Sequence, residues 1–445
     1  MRLFAAKACV LALIALASAT VRAGIAERVS RSSSDGIDLL VYRTNLQDVV
    51  TIVGSMPAGD AFATEANAAV PTLTGMMLDQ GTTSEDKYAI AQKLENAGAS
   101  ITFGVDTQVV DIRARCLTKD LPMVIGLIAE QLRSPAISAA ELDKARQQLI
   151  GALRGSIDNS NYRVRDAFNR AVFPAGHPNH PQSIESLIKS AQSATVAEIK
   201  AFHQKYYGPS HMILVLVGDV DAPRVKRDVA KSFAGWGGGV GVVPAPAPAA
   251  SAAAKTENVA LAQKPSVAIL LGQATGLQYR DPDALPLRVG TAVLGVGFTG
   301  RLMSSVRDRE GLTYGIGAAV GDDAFTDGAF FVSATFAPQL LQKGLESTRR
   351  ELRKWWADGV KPDELKDHQQ NLIGAYQVGM STSGGLAGAL LTTAQRGLDI
   401  AWLDRYPDLI RSLTPAQVNA AIRKHLNPDQ MILVQAGTLP GSATP

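Results

Sequence analysis

Residues Gly208–Gly218, GPSHMILVLVG, return 219 positions later as Asn427–Gly437, NPDQMILVQAG, with six of eleven residues identical. Glu141–Ala152, ELDKARQQLIGA, returns 223 positions later as Glu364–Ala375, ELKDHQQNLIGA, with seven of twelve identical. The blocks keep their order, and their starts lie 67 residues apart in the first half and 63 in the second. Chance alignment of common residues rarely does this, so the chain reads as a tandem duplication. Between the copies, Gly237–Lys255 (GGGVGVVPAPAPAASAAAK) is too poor in large apolar side chains to build a core. It reads as an exposed linker over 237–257, dividing a first lobe, 24–236, from a second, 258–445.

Apolar periodicity predicts the same mixture of elements in each copy. In the first, Gly36–Arg43 and Val49–Ser55 read as strands, 64–79 and Tyr88–Ala97 as helices, and Ala99–Leu117 as a two-strand hairpin. Helices follow at 121–132, from Ala139 to the Asp158 region and at Thr195–Tyr206, and Met212–Val217 closes the copy as a strand. The second copy reads as strands at 266–273, 313–320 and 328–335 and helices at 283–294, 338–358, 362–379 and 414–426. There is no regular βαβ alternation. Each lobe is therefore expected to be α+β, an antiparallel-rich sheet with helices on one face.

The 445 residues are 46% apolar, 19% charged and 6% aromatic, which excludes wholesale disorder and a single small module. The net charge of +3 arises from Arg2, Lys7 and Arg22, because residues 1–23 contain no acid. The remainder is balanced, which argues against an electrostatic nucleic-acid binder. Residues 1–23 have the layout of a secretory signal: Arg2 and Lys7, an apolar run Ala8–Ala17, then small residues at Val21 and Ala23, with Ala19 an alternative cleavage point. That predicts export to the periplasm with cleavage near Ala23. The apolar run is well short of the ~20 residues a spanning helix needs. Cys9 lies in this segment, which leaves Cys116 as the one mature cysteine and no intramolecular disulfide.

These residues resemble the insulinase, or pitrilysin, peptidases in the short form typified by mitochondrial processing peptidase, and the resemblance spans both lobes. Members carry HxxEH on a first-lobe helix shortly before a Gly-Thr. Here the matching segment is Pro71–Thr82, PTLTGMMLDQGT, with Gly81-Thr82 fixing the register. Thr72, Gly75 and Met76 fall at the positions of the first His, the Glu and the second His. Two His four apart on one helix face can both hold zinc, with the intervening Glu as base toward metal-bound water. Thr, Gly and Met supply neither. The resemblance puts the third ligand at about Ala152, and no acid lies between Asp143 and Asp158. What remains for this helix is packing through Val70, Leu73 and Met77.

The second lobe stays closer to the pattern. Its Leu294–Ala318, LGVGFTGRLMSSVRDREGLTYGIGA, resembles the family's glycine-containing segment, helix and strand, with Gly311 placed to end the helix in the left-handed conformation. The resemblance implies that Arg307 and Tyr314 reach toward the substrate peptide near its scissile carbonyl. Both side chains are donors suited to a carbonyl or an oxyanion. The Gly295/Gly297 segment reads equally as a tight turn or as a substrate-contacting loop. His177-Pro178-Asn179-His180 reads as a surface loop rather than a metal pair, and Asp322-Asp323 as a solvated turn.

The resemblance implies a non-catalytic, substrate-binding subunit of a heterodimeric zinc peptidase, with no metal or catalytic residue of its own. A paralogous HxxEH-bearing subunit would supply zinc and base, and a peptide would be the substrate. The competing reading is a structural or assembly protein of the same fold, in which Arg307 and Tyr314 are relics. An independently active peptidase ranks third, since no alternative nucleophile or metal cluster is visible.

Overall fold

The computed structural model describes residues 24–45, 47–245, 247–249 and 253–439; the expected export segment, 1–23, lies outside them. The first half contributes strands β1 (Val29–Ser34), β2 (Ile37–Arg43), β3 (Val49–Pro57), β4 (Ser100–Val105), β5 (Val109–Leu117) and β6 (Ile213–Gly218). They form one sheet in the order β1-β2-β6-β3-β5-β4. The second half contributes β7 (Thr256–Ala260), β8 (Val267–Ala274), β9 (Thr313–Gly321), β10 (Ala329–Phe336) and β11 (Ile432–Gly437), in the order β7-β11-β8-β10-β9. Apart from the extra β1, the two orders correspond strand for strand. Pairing is antiparallel except for β2 with β6 and β7 with β11, which run parallel.

The helices of the first half are α1 (Ile25–Arg28), α2 (Val70–Met77), α3 (Lys87–Asn96), α4 (Leu121–Arg133), α5 (Ala139–Ile157), α6 (Ser160–Val172), α7 (Ile184–Ser193), α8 (Val196–Tyr206) and α9 (Ala222–Phe233). Those of the second half are α10 (Ala284–Gly295), α11 (Leu341–Asp358), α12 (Pro362–Met380), α13 (Ser383–Gln395), α14 (Ala401–Ser412) and α15 (Pro415–His425). The 223-residue repeat offset holds across two whole helices: α5 and α6 answer to α12 and α13 residue for residue. The helix expected over 64–79 is shorter. Two single 3₁₀ turns, Asp60–Phe62 and Glu65–Asn67, precede α2, whose first turn holds Pro71.

Helices cover both faces of each sheet, not one as expected. On the inner face of the first sheet, α2, α4 and α5 bury Leu73, Met77, Ile125, Ile128 and Leu142 against β3 and β5. The opposite face is closed by the other half: α13 and the start of α14 set Leu386, Leu390, Leu391 and Leu403 on Leu40, Tyr42, Val215 and Val217. Reciprocally, α6 sets Val164, Phe168 and Val172 on Leu270, Ile432 and Val434 of the second sheet. This exchange explains the uninterrupted apolar runs. A strand with water on one face alternates, whereas all eight residues of β8 are buried.

The described linker residues are mostly exposed, as expected, but the segment is tied down at a few points. A Cβ on Gly208 would sit 2.1 Å from the carbonyl carbon of Gly238, so the chain crosses at backbone contact there. The Gln108 side chain then clamps Val243 through both its amide N–H and its carbonyl, at 2.9 and 2.8 Å. Ala249 is buried. Among the described residues, no helix is long and apolar enough to cross a membrane.

Candidate functional site

Helix α2 carries Thr72, Gly75 and Met76 to one hollow of about 330 Å³, lined from α5 by Glu141, Lys144, Ala145 and Gln148. Ala152, one turn beyond Gln148, is exposed and does not line it. Val70, Leu73 and Met77 are buried on the opposite side of the helix, as its pattern predicts. The Thr72 hydroxyl donates to Oδ1 of Asp60 at 3.0 Å. Burial pushes the Asp60 carboxyl up to about 6, with Asp106 adding to the rise and the Thr72 bond opposing it.

At Gly75, where a base would stand, an added Cβ would lie 2.3 Å from a methyl of Val105 on β4. The strand has closed over the space such a side chain would use. Nearby, Lys87 donates to Glu141 at 2.7 Å and to Gln80 at 3.1 Å, which raises the ammonium and lowers the carboxyl from their ordinary values. The donor set does not fit zinc: a hydroxyl already given to Asp60, a thioether and a glycine offer no pair of imidazoles and no base. Among the described residues, no group of three or more His, Cys, Asp or Glu side chains is gathered to hold a metal ion.

Arg307 and Tyr314 form a separate group in the second half. Residues Met303–Arg309 wind as a π-helical turn after Leu302, a local widening that recurs at functional positions. Gly311 closes it at φ +62°, as its placement predicts. Strand β9 then carries Tyr314 outward, 89% exposed. The Arg307 guanidinium carbon lies 5.3 Å from the Tyr314 ring centroid and 5.5 Å from that of Phe298. Its one carboxylate neighbour, Asp308, is 3.9 Å away, beyond hydrogen-bond range.

Phe298 was not singled out from the sequence. It sits in the loop that follows Gly295, where an added Cβ would be 2.4 Å from the Ala318 nitrogen, so the loop root lies flat on β9. Gly297 turns the chain at φ +72°. Val296 and Phe298 consequently project into solvent, 46% and 76% exposed. The only signal in the sequence was a lone aromatic residue between Gly297 and Gly300.

His177 and Asp323 are buried, contrary to the sequence reading, whereas Asp322 is exposed and Asn179 and His180 are half-buried. His177 is enclosed where the halves meet and bonds Asp327, because its partner lies 150 residues away. Asp323 is buried against Arg288 at 2.5 Å. Together with Asp60, Tyr162 and Asp322, the His177 loop lines a cavity of about 500 Å³ between the halves.

The family model described as the peptidase M16 inactive domain matches residues 193–372. A zinc protease of Streptomyces coelicolor, itself uncharacterized, is 24% identical over 358 residues, which is 78% of this chain and 76% of that one. The solved structure of a peptidase M16 inactive domain from Pseudomonas fluorescens superposes with a TM-score of 0.85 at 24% identity, covering 94% of this chain and 99% of that one. The periplasmic protease PqqL from Escherichia coli superposes with a TM-score of 0.77 at 15% identity; 94% of this chain is covered but only 46% of the larger protein. The inactive-domain match over residues 193–372 and the superposition on both halves show that this chain has the fold of the insulinase (M16) peptidases and is similar to them, with Thr72, Gly75 and Met76 at the positions where the resemblance places the HxxEH residues.

Proposed function

We propose that this chain is the substrate-binding, non-catalytic subunit of a periplasmic, two-subunit insulinase-family zinc peptidase. A paralogous HxxEH-bearing chain supplies the zinc and the base, and this chain supplies Arg307, Tyr314 and half of the chamber that takes the peptide. One observation carries the reading: among the described residues the Arg307 side chain makes no hydrogen bond, beside an almost fully exposed Tyr314, while the zinc positions are filled by the Thr72–Asp60 bond and the Val105 methyl. Packing accounts for the second set. It does not account for the first, since an exposed tyrosine and an arginine whose one ion pair is a weak surface contact with Asp308 add little to folding. The PqqL comparison supports the half-chamber size, because this chain spans about half of that protein.

The test is reconstitution with an exported HxxEH-bearing paralogue. Arg307→Ala should lower kcat/KM of the assembled enzyme roughly ten- to two-hundred-fold, the equivalent of one charge-assisted hydrogen bond of about 1.5 to 3 kcal/mol. Tyr314→Phe should lower it less, and neither change should alter assembly. An unchanged kcat/KM with intact assembly would replace this reading with a structural one.

A further inference from the structure

We infer that Phe298, Arg307 and Tyr314 together form a receptor for a peptide carboxylate that neighbours an apolar side chain; this rests on the reading of Arg307 and Tyr314 as peptide-contacting residues. Arg307 differs from the arginines around it. Arg301 is paired with both oxygens of Glu364 at 3.0 and 2.6 Å and also reaches the Gly359 carbonyl. Arg350 is bonded to Glu310 and Ser347. Arg307 donates to nothing among the described residues, yet its guanidinium is not loose, because the rings of Phe298 and Tyr314 both lie within cation–π range. Two aromatic rings hold the planar fork while its N–H edges stay free.

A planar fork with free parallel donors matches a carboxylate, which it can bind through two N–H···O bonds. A backbone carbonyl would take one donor and leave the charge unmatched. The local acids do not satisfy it: Asp308 is beyond hydrogen-bond range, Glu310 is taken by Ser347 and Arg350, and among the described residues Arg309 donates only to the Ser304 carbonyl. The outward faces of Phe298 and Tyr314, with Val296 at the edge, offer apolar surface beside the fork. The Gly295–Gly300 loop lies flat on β9 at its root and leaves Phe298 exposed beside the fork. The ligand is an extended peptide with a carboxylate and an adjacent large apolar side chain. The carboxylate belongs either to the peptide C-terminus or to an acidic side chain.

Three dye-labelled probes test this on the purified full chain by fluorescence polarisation: Ala-Ala-Leu-Phe as the free acid, the same peptide as its C-terminal amide, and Ala-Ala-Glu-Phe amide. The free acid should bind at least tenfold more tightly than the uncharged amide, and binding should weaken with salt. The Glu probe binding as tightly as the free acid assigns the site to side-chain carboxylates, and its failure to do so assigns it to C-termini. Phe298→Ala should weaken binding about tenfold and Phe298→Tyr should restore it, with an unchanged thermal midpoint because the side chain is exposed. Equal, Arg307-dependent binding of acid and amide overturns the carboxylate inference while leaving the peptide-contacting reading intact. Binding that ignores both Arg307 and Phe298, or no binding of any probe, overturns the receptor altogether. The reading of the subunit is then judged separately by kcat/KM of the assembled enzyme.

Discussion

Nε2 of His177 lies 3.0 Å from Oδ1 of Asp327, and both side chains are essentially sealed from water. Nδ1 of the same ring accepts from the Asn179 amide at 3.1 Å, so the network assigns the Nε2–H tautomer, which donates to Asp327. The other Asp327 oxygen accepts from the Ala249 amide at 2.7 Å. One carboxylate thus joins the first half, the linker and the second half. Asn179 adds bonds to the carbonyls of Asp322 and Asp327 at 2.8 and 3.0 Å. The ring also stacks on Phe173 at 4.7 Å.

His177→Ala should therefore destabilise the chain by about 1 to 3 kcal/mol, the cost of leaving a buried acceptor without its partner. Its particular signature should be faster proteolysis in the 237–257 segment, since Asp327 would then hold Ala249 alone. Urea unfolding and limited digestion measure the two effects. Unchanged cleavage would mean that Gln108 and Val243 fix the linker by themselves.

The crossed helices make a long-range prediction. Leu390 on α13 is fully buried against the first sheet, although it lies in the second half of the sequence. Leu390→Ala should cost about 2 to 5 kcal/mol. Amide exchange should rise in β3 and β6, more than 170 residues away, before it rises in β8. The opposite order would contradict the exchanged packing.

These two cases also mark where the sequence stops being legible. The duplication could be read because β6 and β11 are buried on both faces, which keeps their apolar runs long and alike. The exchanged helices could not. Helix α6, SNYRVRDAFNRAV, carries a charged or amide side chain in every turn, and α13, SGGLAGALLTTAQ, holds three glycines. Propensity alone argues against both; each is helical because its apolar face meets a sheet from the other half. The burial of His177 and Asp323 was equally hidden, because their partners come from distant segments. The closeness of Arg307 to Tyr314 was legible through the residues around them. Phe298 was not, because its role depends on a distance across a turn.

Rebuilding the zinc motif in α2 should fail for a reason that lies in β4. With Gly75→Glu the new Cβ meets the Val105 methyl, so Thr72→His/Gly75→Glu/Met76→His should lose about 1 to 3 kcal/mol to overpacking. Adding Val105→Ala should recover part of that loss. Neither variant should hold stoichiometric zinc, because the one α5 acid lining this hollow, Glu141, is already held by Lys87 and Lys144, and the third-ligand position falls on Ala152, which is exposed and outside it. Elemental analysis showing about one tightly held zinc per chain in the triple variant, without loss of stability, would refute this.

Asp60 predicts the pH dependence of stability. The groups acting on its carboxyl are the Thr72 hydroxyl, which favours the charged form, and burial and Asp106, which disfavour it. Its value is pushed from 3.8 to about 6, so the folded chain holds this proton more tightly than the unfolded chain does. The stabilisation is therefore full below about 3.8 and is lost as the pH rises through about 6. Asp60→Asn is neutral throughout, and its side-chain carbonyl can still accept from Thr72. Relative to this variant, the natural chain should lose on the order of 1 to 3 kcal/mol between pH 4 and pH 7.5, with the steepest change at pH ~5, midway between the two values. Denaturant unfolding of both proteins across that range measures the difference directly. A stability gap that stays constant with pH would show that the Asp60 carboxyl titrates alike in the folded and unfolded chains.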